Sequence, residues 1–203
     1  KDVFKGNTIT FNSFCPQGLH INEIFNIKNV NAALKVCSLY KLDLHDCKNT
    51  INNFEYAYGR GEIIDYKNNK FKLYLAKNPA SFNNNLETLI DSTEFKGLIF
   101  ILNDNIPDGR DVSWIYDVDS DLLKTFNNKI KVPSKNIYVC GTRCYDMATR
   151  LSYLGFNIAR ENVNKDIQKT LNLITSRNIT FAVLPNYSAM LTFRKLTLGK
   201  SIL

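Results

Sequence analysis

Histidine is scarce. The 203 residues include two, His20 and His45, and neither stands near a Cys pair or in H-E-x-x-H spacing. A metal centre built by this chain alone is therefore not expected, and the metal-ligand set is empty. The five Cys, at 15, 37, 47, 140 and 144, are odd in number and contain no C-x-x-C pair. That excludes a closed disulfide framework and predicts reduced thiols in a cytoplasmic protein. Nine Gly and five Pro are too few for a collagen-like or linker-rich chain. No apolar run approaches the roughly 18 residues that cross a bilayer, and no apolar h-region follows Lys1–Lys5, so neither a membrane span nor a signal peptide is predicted. G-x-S-x-G, calcium-loop and nucleic-acid-binding motifs are missing. Gly199–Ser201 mimics the end of a phosphate-binding loop but lacks the earlier Gly and a helix after it. The chain does not begin with Met, and we expect a processed or truncated piece.

What is present is an ordinary globular composition, 44% hydrophobic and 22% charged. The net charge is +7, from 26 bases against 19 acids. The Lys residues are scattered among 26 Asn rather than gathered in blocks, which reads as a solvated basic surface. Residues 1–14 alternate like a short hairpin. Ile24–Leu39 carries apolar residues at helical spacing, and Leu44–Phe54 reads as a second helix. At Tyr58–Glu62 the pattern changes from helical to alternating, marking a boundary.

Beyond it, strands are predicted over Ile63–Lys70 with a turn, Phe71–Ala76, Gly97–Leu102, Asn136–Cys140, Phe156–Ile158 and Thr180–Leu184. Helices are predicted over Asn83–Thr93, Asp121–Phe126, Cys144–Leu154, Asn164–Ile174 and Tyr187–Leu196. Strand followed by helix, repeated about four times, predicts an α/β fold with a mainly parallel sheet flanked by helices. Gly97–Leu102 is apolar without interruption, as a strand buried on both faces should be. Active loops in such folds lie at the carboxyl ends of strands.

The chemistry-bearing residues gather at those ends. The loop Asn103–Asp117 follows the most apolar strand and holds Asp104, Asp108, Asp111, Asp117, Arg110 and the only Trp, Trp114. A carboxylate there can orient an imidazole or act as a base; equally, Asp108–Gly109 can be a turn and the other acids helix caps. Asn78–Pro79 leaves a strand in extended form and offers an amide to a nucleobase or ribose. In Gly59–Glu62, Gly permits close approach to a ligand and Arg60 suits phosphate. The Gly141–Thr142 turn leads into a helix whose backbone amides suit an anion. On that helix Asp146 and Arg150 are spaced to pair, which leaves Arg143 for a ligand or partner.

Taken in order, Asn26–Ala33, Tyr58–Glu62, Lys77–Ala80, Asp108–Asp117, Gly141–Leu151 and Leu184–Met190 resemble the C-terminal part of the MurT-type Mur ligases, the ligase subunits of lipid II isoglutaminyl synthases. The Asp108–Asp117 segment is the most specific of these. The resemblance implies a Rossmann-like Mur ligase C-terminal domain over 58–203, preceded over 1–57 by the tail of the central, ATP-binding domain. It implies peptidoglycan synthesis in the cytoplasm, at the inner face of the membrane through lipid II. There ATP and Mg, held by a domain upstream of this chain, would serve to amidate the D-glutamate α-carboxylate of lipid II to D-isoglutamine. The ammonia would come from a GatD-type glutaminase subunit.

An Asp of the loop is implied to complete the partner's Cys-His arrangement: Asp111 first, with Asp117 and Asp108 as reserves. Asn26, Asn29, Arg60 and Asn78 are implied for the nucleotide, and Arg110, Trp114 and Arg143 for the partner or substrate. Alone, this piece is expected to be inactive. The sequence departs from the family pattern at Ser81, Tyr116 and Asn186–Ser188. Two other readings stay open: a non-catalytic Rossmann-like module that binds a nucleotide or partner, and a fragment of another Mur or folylpolyglutamate-type amino-acid ligase.

Overall fold

The computed structural model describes residues 24–54 and 58–199, without the side chains of 24–26 and 28. The hairpin predicted over 1–14 lies outside the described residues. The chain divides into two compact units, residues 1–55 and 56–203.

In the first unit, α1 (Ile24–Leu39) and α2 (Leu44–Asn52) are joined by a short turn in which Lys41 adopts a positive φ. The Asp43 carboxylate starts α2 by accepting the N–H groups of His45 and Asp46.

The second unit is a six-stranded sheet in the order β1-β2-β6-β3-β4-β5. Its strands are β1 (Arg60–Tyr66), β2 (Asn69–Tyr74), β3 (Gly97–Ile101), β4 (Ile137–Cys140), β5 (Val163–Asn164) and β6 (Thr180–Pro185). Every pairing is parallel except β1 with β2. That hairpin turns on Lys67 and Asn68, both at positive φ, as a two-residue turn between twisted strands requires. The mainly parallel α/β expectation holds, with this antiparallel edge added.

Five helices cover the two faces. α3 (Pro79–Leu89), α4 (Ser120–Lys129) and α5 (Cys144–Tyr153) share one core with Leu98, Phe100, Val139 and Leu184; α6 (Ile167–Leu173) and α7 (Tyr187–Leu198) share the other with Phe71, Ile99, Tyr138 and Phe181. β3 is buried along its whole length, as its unbroken apolar run predicted. It sits close to β6. A Cβ on Gly97 would lie 2.2 Å from the Phe181 ring, so only Gly lets the two strands keep this spacing. Phe100, fully buried, stacks on Phe82 of α3. Its truncation to Ala would cost about 3–5 kcal/mol.

Several elements differ from expectation. The helix predicted over Asn164–Ile174 begins only at Ile167, capped by Asp166, with Asn164 in β5, and α4 runs three residues past the predicted Phe126 to Lys129. α3 begins at Pro79, four residues before the predicted Asn83. Asn78 and Ser81 form a reciprocal capping box, and Pro79 sits where a missing N–H costs nothing. Phe156–Ile158 is not a strand. Phe156 turns into the core against Phe100 and Phe126, and the edge strand forms later, at Val163–Asn164. The Asn162 amide, donating to the Ile137 carbonyl at 2.9 Å, ties this segment to β4.

Candidate functional site at the carboxyl edge of the sheet

β6 and β3 are neighbours, yet the chain leaves β6 for α7 on one face and β3 for α4 on the other. This is the switch point at which open α/β sheets place their sites. Just beyond the strands, Asn186 does the work of one more rung of ladder. Its side-chain oxygen accepts the Asn103 N–H at 3.1 Å, and its amide donates to the Asn103 carbonyl at 2.7 Å. Asn103 in turn accepts the Thr142 N–H at 3.0 Å. Both Asn are buried, so these bonds satisfy groups that would otherwise be stranded away from water. Gly141, at φ +100, passes so close to the Leu102 carbonyl that a Cβ would lie 2.4 Å from it. The Thr142 and Arg143 amides are thereby taken by Asn103 and Leu102. The anion cradle read from Gly141–Thr142 is corrected: both amides close the strand end.

The acidic loop, Asn103–Asp119, holds two short 3₁₀ turns, Ile106–Asp108 and Ser113–Tyr116. Three anchors fix it. Asp108 accepts both the N–H and the hydroxyl of Ser188, at the start of α7. Val112, Ile115 and Val118 are buried, and Trp114 packs on Phe82 at 6.4 Å between ring centroids. Arg150, from α5, is 9% exposed. It donates to the carbonyls of Ile115 at 3.3 Å and Val118 at 3.0 Å and to the Ser120 hydroxyl at 2.8 Å, and it stacks over the Tyr116 ring. The predicted Asp146–Arg150 pair is therefore wrong. Asp146 instead forms a two-pronged pair with Arg143, at 2.7 and 2.9 Å, because Arg150 is turned under the loop to satisfy carbonyls that no backbone N–H reaches.

The loop leaves Arg110, Asp111, Tyr116 and Asp117 exposed. Asp111 is exposed but held. One carboxylate oxygen accepts the Ser113 N–H at 2.8 Å and the other accepts the Ser113 hydroxyl at 3.0 Å. The Ser113 N–H first, and then its hydroxyl, keep this carboxyl below the usual Asp range. Asp104 is held down in the same way, first by the Thr142 hydroxyl and also by Arg143. Arg143 is half-buried between Asp104 and Asp146 and is not a loose surface cation.

The residues implied for a nucleotide fall as follows. Arg60, exposed, opens β1 opposite Tyr74 at the end of β2; Asn78, also exposed, caps α3 four residues on. Both therefore lie at the carboxyl edge. Asn29 is an exposed residue of α1 in the first unit, and the Asn26 side chain lies outside the described residues. The close approach expected of Gly59 is to a side chain of the same unit: a Cβ there would lie 2.5 Å from Met190 Sδ. Next to it, Glu62 accepts the Gly59 N–H at 2.9 Å and pairs with Arg194 of α7, which stacks over Tyr58.

Sequence reasoning missed the Asn103–Asn186–Thr142 network and the Glu62–Arg194 pair. The signal for the network was Asn103 and Asn186 standing just past two predicted strands, obscured in a chain with 26 Asn.

The family model described as MurT ligase C-terminal matches residues 75–190, more than half of the chain. The chain belongs to this family. A MurT relative from Staphylococcus aureus (strain COL), named as the MurT subunit of lipid II isoglutaminyl synthase (glutamine-hydrolyzing), is 32% identical over 167 residues. The match covers 82% of this chain and 36% of the relative. The subunit of the same name from Streptococcus pneumoniae (strain ATCC BAA-255 / R6) is 27% identical over 186 residues, 91% of this chain and 40% of the relative. The chain thus spans well under half the length of these MurT relatives.

Among solved structures, the folylpolyglutamate synthase of Thermotoga maritima superposes with a TM-score of 0.59 at 17% identity, over 90% of this chain and 41% of that one. The UDP-N-acetylmuramate-alanine ligase MurC of the same organism does so with 0.59 at 13% identity, over 89% and 38%. These two likenesses establish the Mur ligase fold. Among the described residues no helix is long and apolar enough to cross a membrane.

Proposed function

We propose that this chain is the C-terminal portion of a MurT-type ligase subunit that amidates the D-glutamate α-carboxylate of lipid II to D-isoglutamine, an ATP- and Mg-dependent step of peptidoglycan synthesis. The ammonia comes from a GatD-type glutaminase subunit that docks on the acidic loop. Residues 1–57 form the tail of the ATP-binding domain and residues 58–203 the C-terminal domain. Arg60 and Asn78, at the carboxyl edge of the second unit, contribute to the nucleotide site. The names carried by the MurT relatives, which specify glutamine hydrolysis and a subunit, support the reaction class.

The observation that carries the reading is the contrast among the three loop carboxylates. Asp108 is tied to Ser188, Asp117 is exposed with no hydrogen bond to its carboxylate among the described residues, and Asp111 is exposed yet fixed through both oxygens. A carboxylate that orients an imidazole must be accessible, ionised and held in one direction, and Asp111 meets all three conditions. It accepts the N–H of the partner's catalytic His, selects the tautomer that can take the Cys proton, and stabilises the imidazolium. Arg110 and Tyr116, exposed on the same loop, belong to the docking face, whereas Trp114 and Arg143 hold the loop in shape. The test is the full-length ligase subunit, assembled with its glutaminase, carrying Asp111→Asn. Glutaminase activity should fall by roughly 10³–10⁴, the scale of losing a triad acid. Unchanged glutaminase activity would overturn the assignment.

A further inference from the structure

We infer that Ser113 is a positioning residue for Asp111: it orients the carboxylate that the ligase subunit presents to its partner's imidazole. The inference rests on the function just proposed and goes one residue deeper. An exposed Asp normally samples several rotamers, and an imidazole arriving at a mobile carboxylate must freeze it at that moment. Asp111 is already frozen, because Ser113 binds each oxygen separately, at 2.8 Å through N–H and 3.0 Å through the hydroxyl. One lone pair on each oxygen stays available to a donor from outside.

Ser113 in turn is not loose. It opens the 3₁₀ turn Ser113–Tyr116, whose Ile115 side chain is buried in the core and whose Ile115 and Tyr116 carbonyls rest on the Arg150 guanidinium. The carboxylate is thus referenced to the core through Ser113, the turn and Arg150, the support that a catalytic constellation needs from the residues behind it. Neither of the two reserve acids has this: the Asp108 carboxylate faces α7, and Asp117 closes the same turn only through its backbone N–H, bonded to the Trp114 carbonyl. Asp104, also held through both oxygens, is taken by Thr142 and Arg143 beside it.

The experiment uses the full-length ligase subunit with saturating glutaminase partner, supplied with either glutamine or free ammonia. Ser113→Ala removes the hydroxyl bond and keeps the backbone one. Its glutamine-dependent kcat should fall about tenfold, the scale of one hydrogen bond to a charged group. The KM for glutamine and the ammonia-dependent amidation rate should stay at wild-type values. Ser113→Thr keeps the hydroxyl and should recover most of the rate. Ser113→Ala with wild-type glutamine-dependent kcat overturns the inference. So does an equal loss with glutamine and with ammonia, which marks a general structural defect, or a Ser113→Thr variant no better than Ser113→Ala. Failure of the underlying reading is read separately, as full glutaminase activity in Asp111→Asn.

Discussion

The Asp108 carboxylate accepts both the backbone N–H and the hydroxyl of Ser188, so the first 3₁₀ turn of the acidic loop is bolted to the N-terminus of α7 across 80 residues of sequence. Asp108 is therefore a structural acid. It satisfies an orphan amide at a helix start and lies at the favourable end of the helix dipole. Asp108→Ala should lower stability by about 1–3 kcal/mol, the cost of leaving buried donors without an acceptor. Denaturant unfolding measures this directly, and an unchanged midpoint would refute the role.

The Arg143 cluster makes the fold acid-sensitive at a defined place. The Asp146 carboxyl is held below its ordinary value by Arg143, and the Asp104 carboxyl first by the Thr142 hydroxyl and then by Arg143. The folded state therefore binds protons on these groups less readily than the unfolded chain, whose value is near 3.8. Their contribution is complete above that pH and disappears as pH falls through the lower folded values. Arg143→Met should unfold a few degrees below wild type at pH 7, and the gap should close as the pH is taken below 3.8. A gap independent of pH would show that the loss comes from packing alone.

Glu62 and Arg194 form a buried ion pair in the second unit, both about nine-tenths covered, with the Tyr58 ring over the guanidinium. Breaking a buried pair leaves a charge with no solvent and no partner. Glu62→Leu should cost about 3–5 kcal/mol. The double change Glu62→Leu with Arg194→Met removes both charges and should recover much of that loss. A double-mutant cycle in chemical denaturation gives the coupling. Additive losses would mean that the pair contributes nothing as a pair.

The unit's architecture was legible because it rests on short-range patterns. Gly97–Ile101 is apolar at every position, as expected of a strand covered on both faces, and it is buried along its whole length. The helical spacing read over Ile24–Leu39 ends where α1 ends, at Leu39. The misreadings came where a local signal competed with a distant one. Phe156 has strand-like neighbours but is drawn into the core by Phe100 and Phe126. Arg150 stands four residues from Asp146, as a helix-surface pair should, but is drawn under the loop by carbonyls some 30 residues earlier in the chain.

By itself the sequence determined the order of strands and helices, the placing of polar residues just beyond strand ends, and the family. All three are written in neighbouring residues or in motif strings. Only the tertiary structure decided which acid of the loop is tied down in support and which faces out. That choice depends on Ser188, Arg150 and Asn186, residues tens of positions away that the parallel crossovers bring to one edge of the sheet. A hydrogen bond is decided by distance and direction in space, and no spacing along the chain encodes either for groups so far apart.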